Sequence, residues 1–243
     1  MDCQKDLVAS LARRTSHFSN ESFAFTRSFQ LYLRPPSPFS YQTSQTTMST
    51  VEYIDKTCTI KELIQAMEDD VAVFKLIDVS IEGDDDDMYS LSSKVRGHPN
   101  LKEFICKNVK VVDTSTSLDL VVSSLLISAY KIETLELENT PVKSSALLTL
   151  GHCPTLKKLV LCKNGYNDAD ATKIADALAG NKVITTVDLS DNEMSDVGCK
   201  AFEICLDKND SVNTLNLSGN GGISGEKFNK IEAKLQGRAA IAA

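Results

Sequence analysis

The sequence predicts an α/β solenoid. About six strand–helix units stack so that their strands form one parallel sheet on a concave face, with a helical cap at each end and a disordered N-terminal tail. Three observations predict it. First, the stretches Leu156 to Asn164 (LKKLVLCKN), Ile184 to Asn192 (ITTVDLSDN) and Val212 to Asn220 (VNTLNLSGN) are near-copies that recur every 28 residues. Second, apolar residues alternate with polar ones in each copy, at Leu159 and Leu161, Val187 and Leu189, and Leu215 and Leu217. Such alternation gives a short strand with one buried face. Third, the intervening residues carry helical spacing. Ala171, Ile174, Ala177 and Leu178 end at the stop Gly180-Asn181, and Phe202, Cys205 and Leu206 follow the N-cap candidate Ser195.

One strand–helix unit cannot bury its own apolar face, so neighbouring units must stack. The Asn at the ninth position ends each strand, and its side chain can bond backbone groups where the chain turns, so stacked copies form an Asn ladder. All three copies fit L-x-x-L-x-L-x-x-N with aliphatic exchanges. This pattern resembles the leucine-rich repeat, and a period of 28 with a full helix resembles its ribonuclease-inhibitor-like subfamily.

Towards the N-terminus the pattern weakens. Ile132 to Thr140 keeps Leu135 and Leu137 but has Thr140 for Asn, and the next copy starts only 24 residues later, which leaves room for a short helix between Pro141 and Pro154. Leu101 to Val109 keeps Phe104 and Cys106, with a longer helix to follow at Leu118, Val121, Val122 and Leu125. Phe74 to Glu82 is read as the first copy, with Phe74, Ile77 and Val79 inward and Glu82 ninth. Without Asn, the turns of these copies should be bonded differently.

The domain reading is residues 1–47 as a disordered or targeting extension, 48–73 as an N-terminal helical cap, 74–220 as repeats and 221–243 as a C-terminal helical cap. The first cap rests on a capping-box pattern, Thr59 to Glu62, ahead of Leu63, Ile64 and Met67. The second rests on Phe228, Ile231 and Leu235, with Lys227, Lys230 and Lys234 outside. The extension holds five of the nine Phe and is basic, with Lys5, Arg13, Arg14, Arg27 and Arg34 against Asp2, Asp6 and Glu21. The whole chain carries a net charge of −7, so the body is more acidic than the total.

Composition points away from several functions. Arg96 and Arg238 are the only arginines of the acidic body, which disfavours nucleic acid. No apolar run is long enough to span a membrane. The three histidines, His17, His98 and His152, lie in the tail and in turns between units, which disfavours a catalytic dyad. The run Gly83 to Asp87 has consecutive rather than alternating acids, so it reads as an acidic helix start and not a calcium loop. The seven cysteines lack C-x-x-C spacing. Cys106, Cys153, Cys199 and Cys205 read as packing, whereas Cys162 should point outward. An odd count with an exposed thiol predicts a reducing, cytoplasmic location, the alternative being an organelle addressed by residues 1–47. No metal and no cofactor is expected.

The outward strand positions form the candidate site. A protein partner of unknown identity is expected to bind Glu136, Glu138, Lys158, Val160, Cys162, Thr186, Asp188, Thr214 and Asn216. Glu136 and Glu138 should pair across strands with Lys158. A shallow, mixed surface suits a protein better than a small molecule, and the chain is expected to act as a monomer. The leading function is a non-enzymatic interaction scaffold or regulator. The resemblance also implies two alternatives: a GTPase activator similar to the Ran activator, and an actin-filament regulator similar to the C-terminal half of tropomodulin.

Overall fold

The computed structural model describes residues 49–112, 117–128 and 131–241. The extension over residues 1–47 lies outside them. Among the described residues, eight strands form one parallel sheet. They are β1 (Ser49–Thr59), β2 (Val71–Glu82), β3 (Glu103–Lys107), β4 (Lys110–Val112), β5 (Thr134–Glu138), β6 (Lys158–Val160), β7 (Thr186–Asp188) and β8 (Thr214–Asn216), in spatial order β1-β2-β3-β5-β6-β7-β8 with β4 also beside β2. The helices are α1 (Ile60–Ala66), α2 (Asp85–Arg96), α3 (Asp119–Ser128), a 3-10 helix (Ser144–His152), α4 (Asp168–Ala179), α5 (Asp196–Lys208) and α6 (Gly225–Ile241). Each packs on the next. The 3-10 helix is where the 24-residue spacing leaves too little room for an α-helix.

Strand register repeats the sequence register. Phe74 pairs with Phe104, Phe104 with Leu135, Leu135 with Leu159, Leu159 with Val187 and Val187 with Leu215. All six point into a core shared with the helices. In the leading repeats that core is aromatic: the Phe74 and Phe104 rings stack with centroids 6.0 Å apart.

Two expectations are corrected here. The first copy does not run from Phe74 to Glu82. Pairing of Phe74 with Phe104 and of Leu76 with Cys106 places its start at Val71, three residues earlier. Leu76 is therefore buried and Ile77 lies on the opposite face, half-buried. Side chains alternate with period two, so an odd slip exchanges the faces, and the missing Asn left nothing in this copy to fix its register. Nor is 48–73 a helical cap alone. The capping box is present, with Thr59 N–H donating to Glu62 and Glu62 N–H to the Thr59 hydroxyl at 2.7 and 3.2 Å. Ahead of it, however, β1 forms a further repeat strand, with Val51 against Phe74 and Tyr53 against Leu76.

The same backbone conformation marks every copy. The residue before the ninth position has positive φ at Asp55 (54°), Asp78 (55°), Asn108 (53°), Asn139 (45°), Lys163 (59°), Asp191 (55°) and Gly219 (73°). Asp, Asn and Gly tolerate this left-handed turn best. Lys56 of the β1 copy stays exposed, whereas in the copies after β1 the turn swings the ninth side chain under the stack. There the Asn192 carboxamide donates to Leu161, Leu189 and Ser190 carbonyls and accepts from Asn164 and Tyr166 N–H. Asn164 donates to Leu137 O and accepts from Thr140 N–H. Thr140, standing in for Asn, lies 3.0 Å from Glu138 O and accepts from Val109 N–H.

A second ladder runs along the turns that lead into the strands. Asn181 and Asn209 each donate to two carbonyls and accept from the N–H groups ahead of their strands. His98 fills the equivalent place. Its Nδ1 accepts from Asn100 and Leu101 N–H, which assigns the proton to Nε2, 2.8 Å from Glu68 O. Its role is therefore to close a turn.

The acidic run caps α2, with Asp84 accepting from Asp87 N–H. At the far end Ile231 of α6 joins the core. Arg238 donates to Val212 O at 2.6 Å and to the carbonyls of Leu206 and Asn209, so its guanidinium closes the C-terminal end of α5.

Candidate partner-binding face

Alternation along β3, β5, β6, β7 and β8 sends one residue in two away from the helices, onto an open sheet face. Eight of the nine residues named from the sequence take such strand positions, and Cys162 lies two residues past the end of β6.

The centre of this face is a charge network. Lys107 reaches Glu136 at 2.6 Å and Glu138 at 3.7 Å, Lys158 reaches Glu136 at 3.7 Å, and Lys163 reaches Glu138 at 2.8 Å. Lys163 can reach Glu138 because the left-handed turn at its own backbone carries it alongside the strand end. The hydrogen bond from Lys163 is the largest cause holding the Glu138 carboxyl below its ordinary range. The hydrogen bond to Glu136 similarly raises Lys107. Lys107, which bridges both glutamates, was absent from the predicted set. Its signal was visible: it is the seventh residue of its copy, directly across from Glu138.

The network predicts a pH effect. A depressed carboxyl stabilises the fold above the unfolded glutamate pKa, and the contribution is lost as pH falls through the folded value. Lys163→Gln should therefore flatten the decline of melting temperature on acidification below the glutamate range, while leaving the neutral-pH fold intact. A double-mutant cycle on Lys107 and Glu136 should give a coupling of only about 0.2–1 kcal/mol, because the pair is partly solvated.

Beside the network the face is apolar. Ile105, Val160 and Cys162 are buried but stand outside the core cluster. This corrects the expected exposure of Cys162. It does point to the open face, between Glu138 and Asp188, yet is only 8% exposed, and desolvation pushes its thiol up to about 11. All six described cysteines are buried, so thiol exposure no longer supports a reducing location. Towards β8 the face turns polar and internally bonded. The Asp188 carboxylate accepts from Ser190 N–H and hydroxyl and from the Asn216 amide, while Asn216 accepts from Ser218. Thr186 and Thr214 sit side by side in register.

A cavity of about 370 Å³ lies elsewhere, lined by Val111, Leu118, Asp119, Val142, Tyr166 and Asp170 among others. Its carboxylates are occupied: Asp119 accepts from Lys143 N–H and Asp170 from the Ser144 hydroxyl. Among the described residues no cluster of His, Cys, Asp and Glu could hold a metal ion, and no helix is long and apolar enough to cross a membrane.

A family model described as "Leucine Rich repeat" matches residues 180–202, which include β7, the ladder residue Asn192 and the start of α5. The fold is that of a leucine-rich-repeat solenoid. Among solved structures the repeat array resembles the tropomodulin C-terminal domain of Caenorhabditis elegans, with 17% identity and a TM-score of 0.53 over 64% of this chain and 95% of that one. It also matches a structure described as leiomodin-1 actin-binding site 2, with 16% identity and a TM-score of 0.38 over 63% of this chain and 89% of that one. No curated protein matches the sequence.

Proposed function

We propose that this leucine-rich-repeat protein is a non-enzymatic scaffold or regulator that binds a protein partner on the open face of its sheet. The observation that carries the reading is the face itself: fixed Glu136 and Glu138 flanked by Lys107, Lys158 and Lys163, next to the apolar Ile105, Val160 and Cys162. Such a mixture gives charge selectivity around an apolar contact without a deep pocket, which suits a protein surface. Within the repeat class, the 28-residue period and its full helices support the ribonuclease-inhibitor-like subfamily.

The test is affinity capture with the full chain, followed by identification of the partner. Glu136→Lys and Lys158→Glu should each weaken capture of that partner at least about tenfold, the scale of losing a desolvated charge contact. The double swap restores the pair between positions 136 and 158 but sets a like charge against Lys107, so its fold is checked by thermal melting, and it should still capture poorly. Undiminished capture by both single variants would remove the open face from the reading.

A second reading, the tropomodulin-like regulator of actin filaments, rests on the fold likeness to that C-terminal domain. Slowed elongation at actin pointed ends by the purified chain would favour it. Accelerated GTP hydrolysis by Ran would favour the GTPase-activator alternative instead.

A further inference from the structure

We propose that Asn220-Gly221 is a site of spontaneous deamidation, and that the fold makes it convert ahead of the chemically equivalent Asn164-Gly165. These are the only two asparagines that precede a glycine. Glycine leaves the following backbone nitrogen unhindered. The nitrogen of Gly221 attacks Cγ of Asn220, a C–N bond forms, the Cγ–Nδ2 bond breaks, and ammonia leaves with the amide proton. Water then opens the succinimide to aspartate or isoaspartate.

Both side chains are ladder residues, so neither can react while its rung is closed. The Asn164 carboxamide donates to Leu137 O and accepts from Thr140 N–H, and its own N–H donates to Asn192 Oδ1 in the next repeat. Repeats stack on both sides of it. The Asn220 carboxamide donates to Leu189 and Leu217 carbonyls and accepts from Met194 N–H, all in its own repeat or the one before. No strand follows β8 among the described residues. In a stack where each repeat leans only on its neighbours, the terminal repeat opens at lower free energy than an interior one. What holds this end shut is α6, tied by Arg238 to the carbonyls of Leu206, Asn209 and Val212.

Conversion would not be silent. Aspartate at 220 has no amide to donate to the Leu189 and Leu217 carbonyls and sets a carboxylate against them. Isoaspartate also lengthens the backbone by a methylene just past β8. Either product loosens the strand that carries Thr214 and Asn216.

The full chain is incubated at neutral pH, and its peptides are followed by the mass gain of amide-to-acid conversion and by isoaspartyl methylation. Conversion at Asn220 should run roughly tenfold faster than at Asn164, the ratio expected from a modestly cheaper opening of the end repeat. Arg238→Ala should speed Asn220 further and leave Asn164 unchanged. Gly221→Ala should suppress Asn220 alone, since its added Cβ meets nothing within 4 Å and the fold is kept. Equal or faster conversion at Asn164, or an Asn220 rate indifferent to Arg238→Ala, would overturn the proposal.

Discussion

Replacing Asn192 with alanine is expected to destabilise the protein by roughly 3 kcal/mol or more, since each buried backbone group left without a partner costs about 1–3 kcal/mol. The residue bonds five backbone groups at once: three carbonyls, at Leu161, Leu189 and Ser190, and two N–H groups, at Asn164 and Tyr166. They belong to two adjacent repeats, so the loss should open the stack between β6 and β7 and lower its cooperativity. Asn192→Asp keeps the acceptor but loses the donors, and its carboxylate faces three carbonyls; it should be no better than alanine at neutral pH. Urea unfolding at equilibrium measures both. An Asn192→Ala loss below about 1 kcal/mol, the range of an ordinary surface change, would show that the ladder contributes little.

The second large effect separates two registers of one strand. Phe74→Ala should cost roughly 3–5 kcal/mol, as for other buried phenylalanines, because the ring is enclosed in the core and stacked on Phe104. Leu76→Ala should cost about 2–5 kcal/mol by the same reasoning. Ile77→Ala should cost about 1 kcal/mol, since the side chain is half-buried on the open face and leaves no enclosed cavity. The register read from the sequence ranks these residues oppositely, with Ile77 inside and Leu76 outside. Thermal melts of Leu76→Ala and Ile77→Ala alone decide between the registers.

That reversal shows where sequence reading stops. Asn164, Asn192 and Asn220 are legible because each carries chemistry that nothing else at the ninth position supplies. Val79, Val109 and Lys56 carry none of it, so the leading copies lose their marker. A fainter marker was present: Asp55, Asp78, Asn108, Asn139 and Asp191 all precede the ninth position and all tolerate positive φ. Read as a series, they would have placed the first copy at Val71 and shown the strand hidden in the expected helical cap. Asp and Asn are too common on surfaces for that series to stand out before the register is known.

The open face was legible in membership and less so in state. Alternation alone says that Glu136, Val160 and Cys162 leave the core side of the sheet. It cannot say that Lys163 swings back onto Glu138, because that depends on a left-handed turn at Lys163 itself. Nor can it say that Cys162 ends buried, because its cover comes from neighbouring strands.

The sequence by itself determined that this chain is a stack of strand–helix repeats, where its last three repeats begin and which of their side chains face away from the helices. Those properties follow from local spacing, since strand period, helix period and repeat length are all written along the chain. The tertiary structure alone decided the register of the degenerate repeats, the further strand at the N-terminal end, the closing of the C-terminal end by Arg238 and the pairing of charges on the open face. Each depends on which residues of different repeats come side by side, and that is set by the lateral stacking of whole repeats, a contact no single repeat encodes.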